Sequence, residues 1–215
     1  MNNKEKSILM ELLERYPNLE PCTRSITDAA DALIGCYEKK GKVLICGNGG
    51  SAADAEHITG ELMKGFMKKR PIPPDLAKKL QNIHSEKGSL LSKKLQQALP
   101  AIALTGHISL STAFANDVDS SCVFAQQVLG YGLPGDILLG LSTSGSSANV
   151  VHALITAQAL GLRTIGMTGA AGGSMKGFCE ILISVPETST PRVQELHLPV
   201  YHALCRIAEE HFFSE

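Results

Sequence analysis

The sequence contains no tryptophan, few aromatic residues and almost no net charge. Aromatic side chains make up 5% of the 215 residues, and 20 Lys and Arg are matched by 21 Asp and Glu. Without an excess of basic charge, the chain has no overall field that would attract nucleic acid or an anionic membrane. No apolar stretch approaches the roughly 20 residues that span a bilayer, and the first residues do not resemble a signal peptide. We therefore expect a cytoplasmic protein with no nucleic-acid or membrane partner.

The cysteines also lack the pattern of a disulfide framework. None of the six forms a C-x-x-C pair, and several lie in apolar runs, which is typical of buried free thiols in a reducing compartment. The length of 215 residues fits a single domain spanning 1–215 with a sizeable core.

Five short apolar runs predict the sheet. They lack the alternation of a half-exposed strand, so we expect strands that are buried on both faces, as in a parallel sheet covered by helices. The runs are 42–46, 101–105, 136–141, 163–168 and 180–185. Helical segments between them, at 51–69, 107–129 (broken) and 147–160, predict an open, doubly wound α/β fold.

Further helices are expected outside this alternating core. Residues 1–40 hold two N-terminal helices, at 4–16 and about 20–39, and 190–213 form a C-terminal helix. Residues 72–99 interrupt the alternation, and their leucine spacing predicts an inserted surface helical hairpin that is broken at Gly88.

Two loops rich in small residues follow the first and third predicted strands. One reads Gly47-Asn48-Gly49-Gly50-Ser51, and the other reads Ser142-Thr143-Ser144-Gly145-Ser146-Ser147. The first also suits an ordinary strand-to-helix turn, with Ser51 as the helix N-cap and Asp54 as its capping-box partner. A plain turn needs fewer hydroxyls than the second loop offers, and loops that open helices bind anions through their N–H groups. Together the loops predict a phosphate site.

Two helices carry candidate titratable side chains. His57 and Glu61 are four residues apart on one helix face, a spacing that suits two metal ligands or a base with its orienting partner. A surface pair without any role would have the same spacing. On the last helix Gln194 and His202 share a broad face while His197 is offset, and His202 equally suits a core histidine.

At these positions the sequence resembles the sugar isomerase (SIS) domain of the phosphoheptose isomerase family. The likeness covers nearly the whole chain except about 72–99, and the motifs follow the family's order. They are Cys46-Gly47-Asn48-Gly49-Gly50-Ser51 with Asp54, His57 and Glu61-Leu62; Ala115-Asn116-Asp117; Ser142-Thr143-Ser144-Gly145 with Ser147-Ala148-Asn149; Thr168-Gly169 with Gly172-Gly173; and Arg192-Val193-Gln194-Glu195-Leu196-His197.

The resemblance implies a SIS-type five-stranded parallel sheet, and a homotetramer with sites between subunits. It implies an enzyme that interconverts sedoheptulose 7-phosphate and D-glycero-D-manno-heptose 7-phosphate. Carried over by position, phosphate would be held by Ser51, Ser142, Thr143, Ser144 and Ser147, and the sugar by Asn48, Gly49, Gly50, Asn116, Asp117, Glu61 and Gln194. Zn²⁺, one per subunit, would be bound by His57, Glu61, Gln194 and His202, with Glu61 as general base and His202 as general acid.

Three departures from the family pattern leave the sugar open. Gly65 stands where the family commonly has Arg after Glu-Leu-Thr-Gly, with Lys64 beside it; Pro191 stands where an Asp is common; and 72–99 are inserted. The alternatives are an aldose–ketose isomerase of another sugar phosphate, or a non-catalytic SIS protein that binds a replication initiator or senses a sugar phosphate. Non-catalytic relatives often lose the base and acid, whereas Glu61 and His202 are both present here.

Overall fold

A computed structural model describes residues 1–213 as a five-stranded parallel sheet flanked by helices. The strands are β1 (Val43–Cys46), β2 (Ala101–Ala103), β3 (Ile137–Leu141), β4 (Arg163–Thr168) and β5 (Ile181–Ser184). The sheet order is β2-β1-β3-β4-β5, with all neighbours parallel. The α/β fold class and all five strands predicted from the apolar runs are confirmed.

Nine α-helices are present in residues 1–213. They are α1 (Asn3–Arg15), α2 (Thr23–Glu38), α3 (Gly50–Met63), α4 (Pro74–Ile83), α5 (Ser85–Lys94), α6 (Ile108–Phe114), α7 (Val123–Tyr131), α8 (Ala148–Ala159) and α9 (Thr190–Phe213). Within this described part, no helix is long and apolar enough to cross a membrane.

The sheet is buried on both faces because successive strand side chains point to opposite sides. Val43 and Ile45 join a core formed with α1, α2, α3 and α9. Leu44 and Cys46 join a second core formed with α7 and α8. Two apolar layers therefore cover β1, which explains why its sequence shows no polar alternation.

The strand order creates a switch point between β1 and β3. From β1 the chain crosses to β2 on one side, and then returns to place β3 on the other side of β1. Ligands in open α/β sheets bind outside the carboxyl ends of the strands at such a point. The two small-residue loops follow these two strands, so the topology brings them together.

Several helix ends differ from the prediction. Helix α3 ends at Met63, six residues before the predicted end at 69, and a 3₁₀ turn at Pro17–Cys22 precedes α2. The break expected within 107–129 is a π turn, Ala115–Asp119, followed by a 3₁₀ turn, Ser120–Cys122. The bounds of α9 match the prediction.

The predicted hairpin is present as α4 and α5, but Gly88 does not break it. The helices meet at His84, whose side chain caps α5 by accepting from the Lys87 N–H. Gly88 lies buried inside α5, and a Cβ there would overlap the carbonyl oxygen of Leu80. The glycine therefore permits the close packing of the two helices, which sequence spacing alone cannot distinguish from a helix break.

Candidate active site

The carboxyl ends of β1 and β3 open onto a cavity of about 280 Å³. Both small-residue loops and the start of α9 line it. The lining residues are Asn48, Gly49, Gly50, Ser51, Leu141, Ser142, Thr143, Ser147, Thr190 and Gln194. No Lys or Arg is among them, so an anion in this cavity would be held by neutral donors.

Three helices begin at the cavity, which gives it a positive potential. Gly49 precedes α3, Ser147 precedes α8, and Thr190 begins α9. Neither Gly49 nor Ser147 makes a side-chain cap, so side chains do not satisfy the first N–H groups of α3 and α8. Although the Ser51 and Ala52 N–H groups bond to the carbonyls of Asn48 and Gly49, the helix dipoles favour an anion there. This arrangement suits a phosphate ester.

Hydroxyl groups in the second loop are held close to one another. Ser142, which is buried, places its Oγ 2.9 Å from Ser147 Oγ and 3.4 Å from Ser144 Oγ. Gly145 has a φ of 68°, and a Cβ on it would overlap the carbonyl oxygen of Gly172. The loop therefore needs glycine at this point in order to pack against the neighbouring Gly172-Gly173 turn.

The histidine and carboxylate predicted on α3 meet a histidine from α9. Glu61 Oε1 lies 3.2 Å from His57 Nε2, and His202 Nε2 lies 3.5 Å from the same atom. The side chain of Glu61 is 13% exposed, and that of His57 is 42% exposed. Two helices that start at the cavity thus bring a carboxylate and two imidazoles together farther along their length.

The Tyr201 hydroxyl links the carboxylate of Asp54 to the imidazole of His57. The Tyr201 hydroxyl donates to Asp54 Oδ1 at 3.1 Å and lies 3.0 Å from His57 Nδ1. Asp54 therefore does not act as the predicted capping-box partner of Ser51. Helix α3 begins without a side-chain cap, because Gly49 with its positive φ occupies the N-cap position.

The side chain of Glu61 contacts a cation, and the backbone carbonyls at this point of α3 accept hydrogen bonds from Arg70. Lys64 Nζ donates to Glu61 Oε2 at 3.1 Å, so a positive charge lies beside this carboxylate. Arg70 donates to the backbone carbonyls of Leu62 and Glu61, at 2.8 and 3.3 Å. These bonds satisfy carbonyls at the end of α3.

The two histidines of α9 have different surroundings. His202 is partly exposed beside His57, and burial and then the nearby His57 lower its pKa below the ordinary value. Its imidazole is therefore neutral at pH 7. His197 is fully buried, which lowers its pKa to about 4, and it faces the core rather than the cavity. The predicted offset between the two residues is confirmed.

A larger cavity borders the other side of His202. It has a volume of about 370 Å³ and lies between α1, α9 and Phe66. Arg206 and Arg15 line it, but Arg206 is bonded to Glu11 at 2.7 Å and Arg15 approaches the same carboxylate. The smaller cavity suits an anion better, because three helices begin there and no carboxylate lines it.

Comparisons with known proteins identify the family. The sequence profile of the SIS domain matches residues 11–96 and 79–169. A phosphoheptose isomerase from Desulfovibrio desulfuricans is 40% identical over 88% of this chain and 78% of its own length. The chain belongs to the phosphoheptose isomerase family.

Other members of the phosphoheptose isomerase family match over the full length. The enzyme from Rhodospirillum rubrum is 36% identical over 98% of each chain. A solved phosphoheptose isomerase from Francisella tularensis superposes with a TM-score of 0.73 at 31% identity, covering 98% of this chain and 100% of its own. The two profile matches overlap at 79–96, a range that begins in α4 and ends just after α5.

The structure brings together most of the residues that the family resemblance assigns. Seven of them line the cavity with Gln194, and His57, Glu61 and His202 form the second group. Ser144 is not on the cavity wall, and its Oγ accepts from the Ser146 N–H. Asn116 and Asp117 bond to each other on the exposed π turn and do not line the cavity of their own chain.

Gln194 lies with the cavity residues rather than with the other expected zinc ligands. A Cβ on Gly50 would overlap the Gln194 amide nitrogen. Among residues 1–213 no hydrogen bond links Gln194 to His57, Glu61 or His202. Within the same range, no group of three or more His, Cys, Asp or Glu is arranged as a ready-made metal site.

Three further residues of the site did not follow from sequence reasoning. Asn149 exchanges two amide hydrogen bonds of 2.9 Å with Asn48 and so fixes the first loop to α8. Thr190 lines the cavity, and Tyr201 holds His57. Asn149 lies within the family motif Ser147-Ala148-Asn149, so the sequence did carry a signal for this residue. Tyr201 gave none, because its partners are about 145 positions away.

Proposed function

We propose that this chain is an isomerase that interconverts sedoheptulose 7-phosphate and D-glycero-D-manno-heptose 7-phosphate. One observation carries the proposal. A carboxylate from α3 and an imidazole from α9 converge on His57 Nε2, farther along the two helices whose first turns line the anion cavity. A phosphate group and a reacting carbonyl can therefore be held at opposite ends of one site.

The separation between the two groups favours a long sugar. The eight residues from Gln194 to His202 rise about 12 Å along a helix axis. With the ester at the cavity, the carbon chain would extend along α3 and α9 towards Glu61. A substrate several carbons long suits this distance better than a triose phosphate.

The side chains present suffice for proton transfer through an enediol. Glu61 would remove the proton from C1 while the N–H of His202 hydrogen-bonds and protonates the carbonyl oxygen at C2. The proton would then return from Glu61 to C2 as the hydroxyl proton at O1 is lost to His202, giving the aldose. A neutral imidazole is a competent electrophile in such reactions. One positioned base or acid contributes roughly 10²–10⁴-fold to the rate.

We also propose zinc as the cofactor, because the side chains near Glu61 offer the kinds of donor atom that zinc binds. His57, Glu61 and His202 offer nitrogen, oxygen and nitrogen atoms, with contacts of 3.2 and 3.5 Å. When bound, the ion would polarise the carbonyl oxygen as a Lewis acid. Gln194 would bind the ion only after its side chain moves away from Gly50.

We also propose that the enzyme is a homotetramer with sites completed between subunits. Asn116 and Asp117 are exposed and away from the cavity of their own chain. Large apolar side chains surround that turn on the surface, including Ile108 and Val118, which are 73% and 66% exposed. Apolar surface of this kind commonly marks an interface. Sedimentation velocity at assay concentration would test it, and a monomer with full activity would contradict it. The cytoplasmic location stays a prediction.

The function is tested by turnover in D₂O with a panel of phosphorylated ketoses of five, six and seven carbons. We expect deuterium to enter the aldose at C2, with the highest kcat/KM for the seven-carbon sugar. A higher value for a shorter sugar would identify an isomerase of another substrate. Binding to the panel, measured by thermal shift, without deuterium incorporation would identify a sensor instead.

A further inference from the structure

We propose that Asp54 and Tyr201 are positioning residues that hold His57 in the tautomer protonated at Nδ1, which leaves Nε2 as a free ligand atom. The three side chains form a continuous chain of contacts, with Tyr201 oxygen 3.1 Å from Asp54 Oδ1 and 3.0 Å from His57 Nδ1. The proposal deepens the proposed function, since it concerns an expected zinc ligand of the same site.

The direction of the hydrogen bonds follows from counting protons. An ionised carboxylate can only accept, and a phenol has one proton to donate. Tyr201 must therefore give its proton to Asp54, and only its oxygen lone pairs remain for His57. A contact of 3.0 Å between that oxygen and Nδ1 is a hydrogen bond only if Nδ1 carries the proton.

The surroundings keep this arrangement in place. Tyr201 is 1% exposed, and a phenol, whose ordinary pKa is about 10, keeps its proton at neutral pH. The Tyr201 ring packs edge-on against the imidazoles of His57 and His202, with centroids 5.5 and 5.0 Å apart. Asp54 Oδ2 is buried without a partner, so Oδ1 carries the only side-chain bond of this carboxylate.

The tautomer determines what His57 presents to the rest of the site. With Nδ1 protonated, the Nε2 lone pair points towards Glu61 Oε1 at 3.2 Å, an oxygen that also has no proton when ionised. Two facing acceptors repel each other unless a cation lies between them. The three side chains, which we call the Asp54–Tyr201–His57 relay, thus leave the Nε2 lone pair of His57 free to bind a divalent metal. Outer hydrogen bonds orient ligating histidines in the same way.

Nitrogen NMR of the metal-free protein tests the proposal directly. At about pH 8 we expect His57 to show a protonated Nδ1 and an unprotonated Nε2. Tyr201→Phe should abolish that single tautomer and weaken zinc binding by about 10–100-fold, measured by chelator competition. Tyr37→Phe is the matched control, because Tyr37 is another buried tyrosine whose hydroxyl has no partner.

Variants of Asp54 separate the relay from a merely structural effect. Asp54→Ala removes the acceptor, so the Tyr201 proton should turn to Nδ1 and drive His57 to the opposite tautomer. Asp54→Asn retains an acceptor oxygen and should restore the original one. An Nε2-protonated or doubly protonated His57 in the parent protein, or an unchanged tautomer in Tyr201→Phe, would overturn the proposal. The NMR experiment uses neither sugar nor metal, so a different catalytic function would not affect its outcome.

Discussion

Arg70 and Glu209 form a buried ion pair, with Arg70 Nε 2.8 Å from Glu209 Oε1 and side chains that are 0% and 1% exposed. Glu209 also accepts the N–H groups of Phe66 and Met67, at 2.8 and 2.7 Å. Although burial alone would raise the pKa of this carboxyl, the two N–H donors and Arg70 lower it overall. The pair fastens the segment after Glu61 to α9, the helix that carries His202.

Arg70→Met should therefore destabilise the fold strongly. It leaves the buried Glu209 charge unpaired and frees the carbonyls of Glu61 and Leu62, and breaking a buried pair costs about 3–5 kcal/mol. Denaturant unfolding measures the loss. The control is Arg163→Met in the exposed pair with Glu180, where about 1 kcal/mol or less is expected. Equal losses in the two variants would contradict the assigned role.

His197 should make stability fall as the solution is acidified. Burial lowers its folded pKa to about 4, against an ordinary value of about 6.5. Between these values the unfolded chain binds the proton and the folded chain does not, so stability declines as pH drops from 6.5 to 4. The full contribution is about 3 kcal/mol.

His197→Leu, a non-titrating replacement, should flatten the unfolding free energy between pH 6.5 and 4. Chemical denaturation across this range measures the slope. The exposed His84 serves as control through His84→Asn, which retains a helix cap and should leave the slope unchanged. A parent-like slope in the His197 variant would show that another group titrates.

The hydroxyl pair at the cavity should control affinity for the phosphate. Ser142→Ala with Ser147→Ala removes two donors held 2.9 Å apart, and a hydrogen bond to a charged group contributes about 1.5–3 kcal/mol. We expect at least about tenfold weaker sugar-phosphate binding by calorimetry. Ser146→Ala in the same loop is the control, because its Oγ accepts from the Ser174 N–H. A Kd unaffected by the double substitution would place the ester elsewhere.

The sequence predicted the sheet well because its signals are local. Each strand was marked by its own apolar run, and both small-residue loops followed strands that the topology then paired. Helix α3 was predicted too long, since its end depends on Arg70 and Glu209, which meet only in the folded chain. Gly88 was misinterpreted because a glycine that permits close packing and one that ends a helix look alike in sequence.

The candidate site could be assigned only in part. The spacing of His57 and Glu61 placed both on one face of α3, and the family resemblance supplied the roles. Their meeting with His202 depends on how α3 packs against α9, which no local pattern specifies. The same holds for Tyr201, which lies beside an expected functional residue yet carries no motif of its own.

In the proposed reaction, Glu61 moves the proton while the helix N-termini hold the ester. Glu61→Gln keeps the size of the side chain and removes its basicity. We expect it to reduce deuterium incorporation from D₂O into the seven-carbon sugar phosphate by at least about 10²-fold. Its Kd for that sugar, measured by calorimetry on the same sample, should stay within a few-fold of the parent value. Undiminished incorporation in Glu61→Gln would show that another group removes the proton.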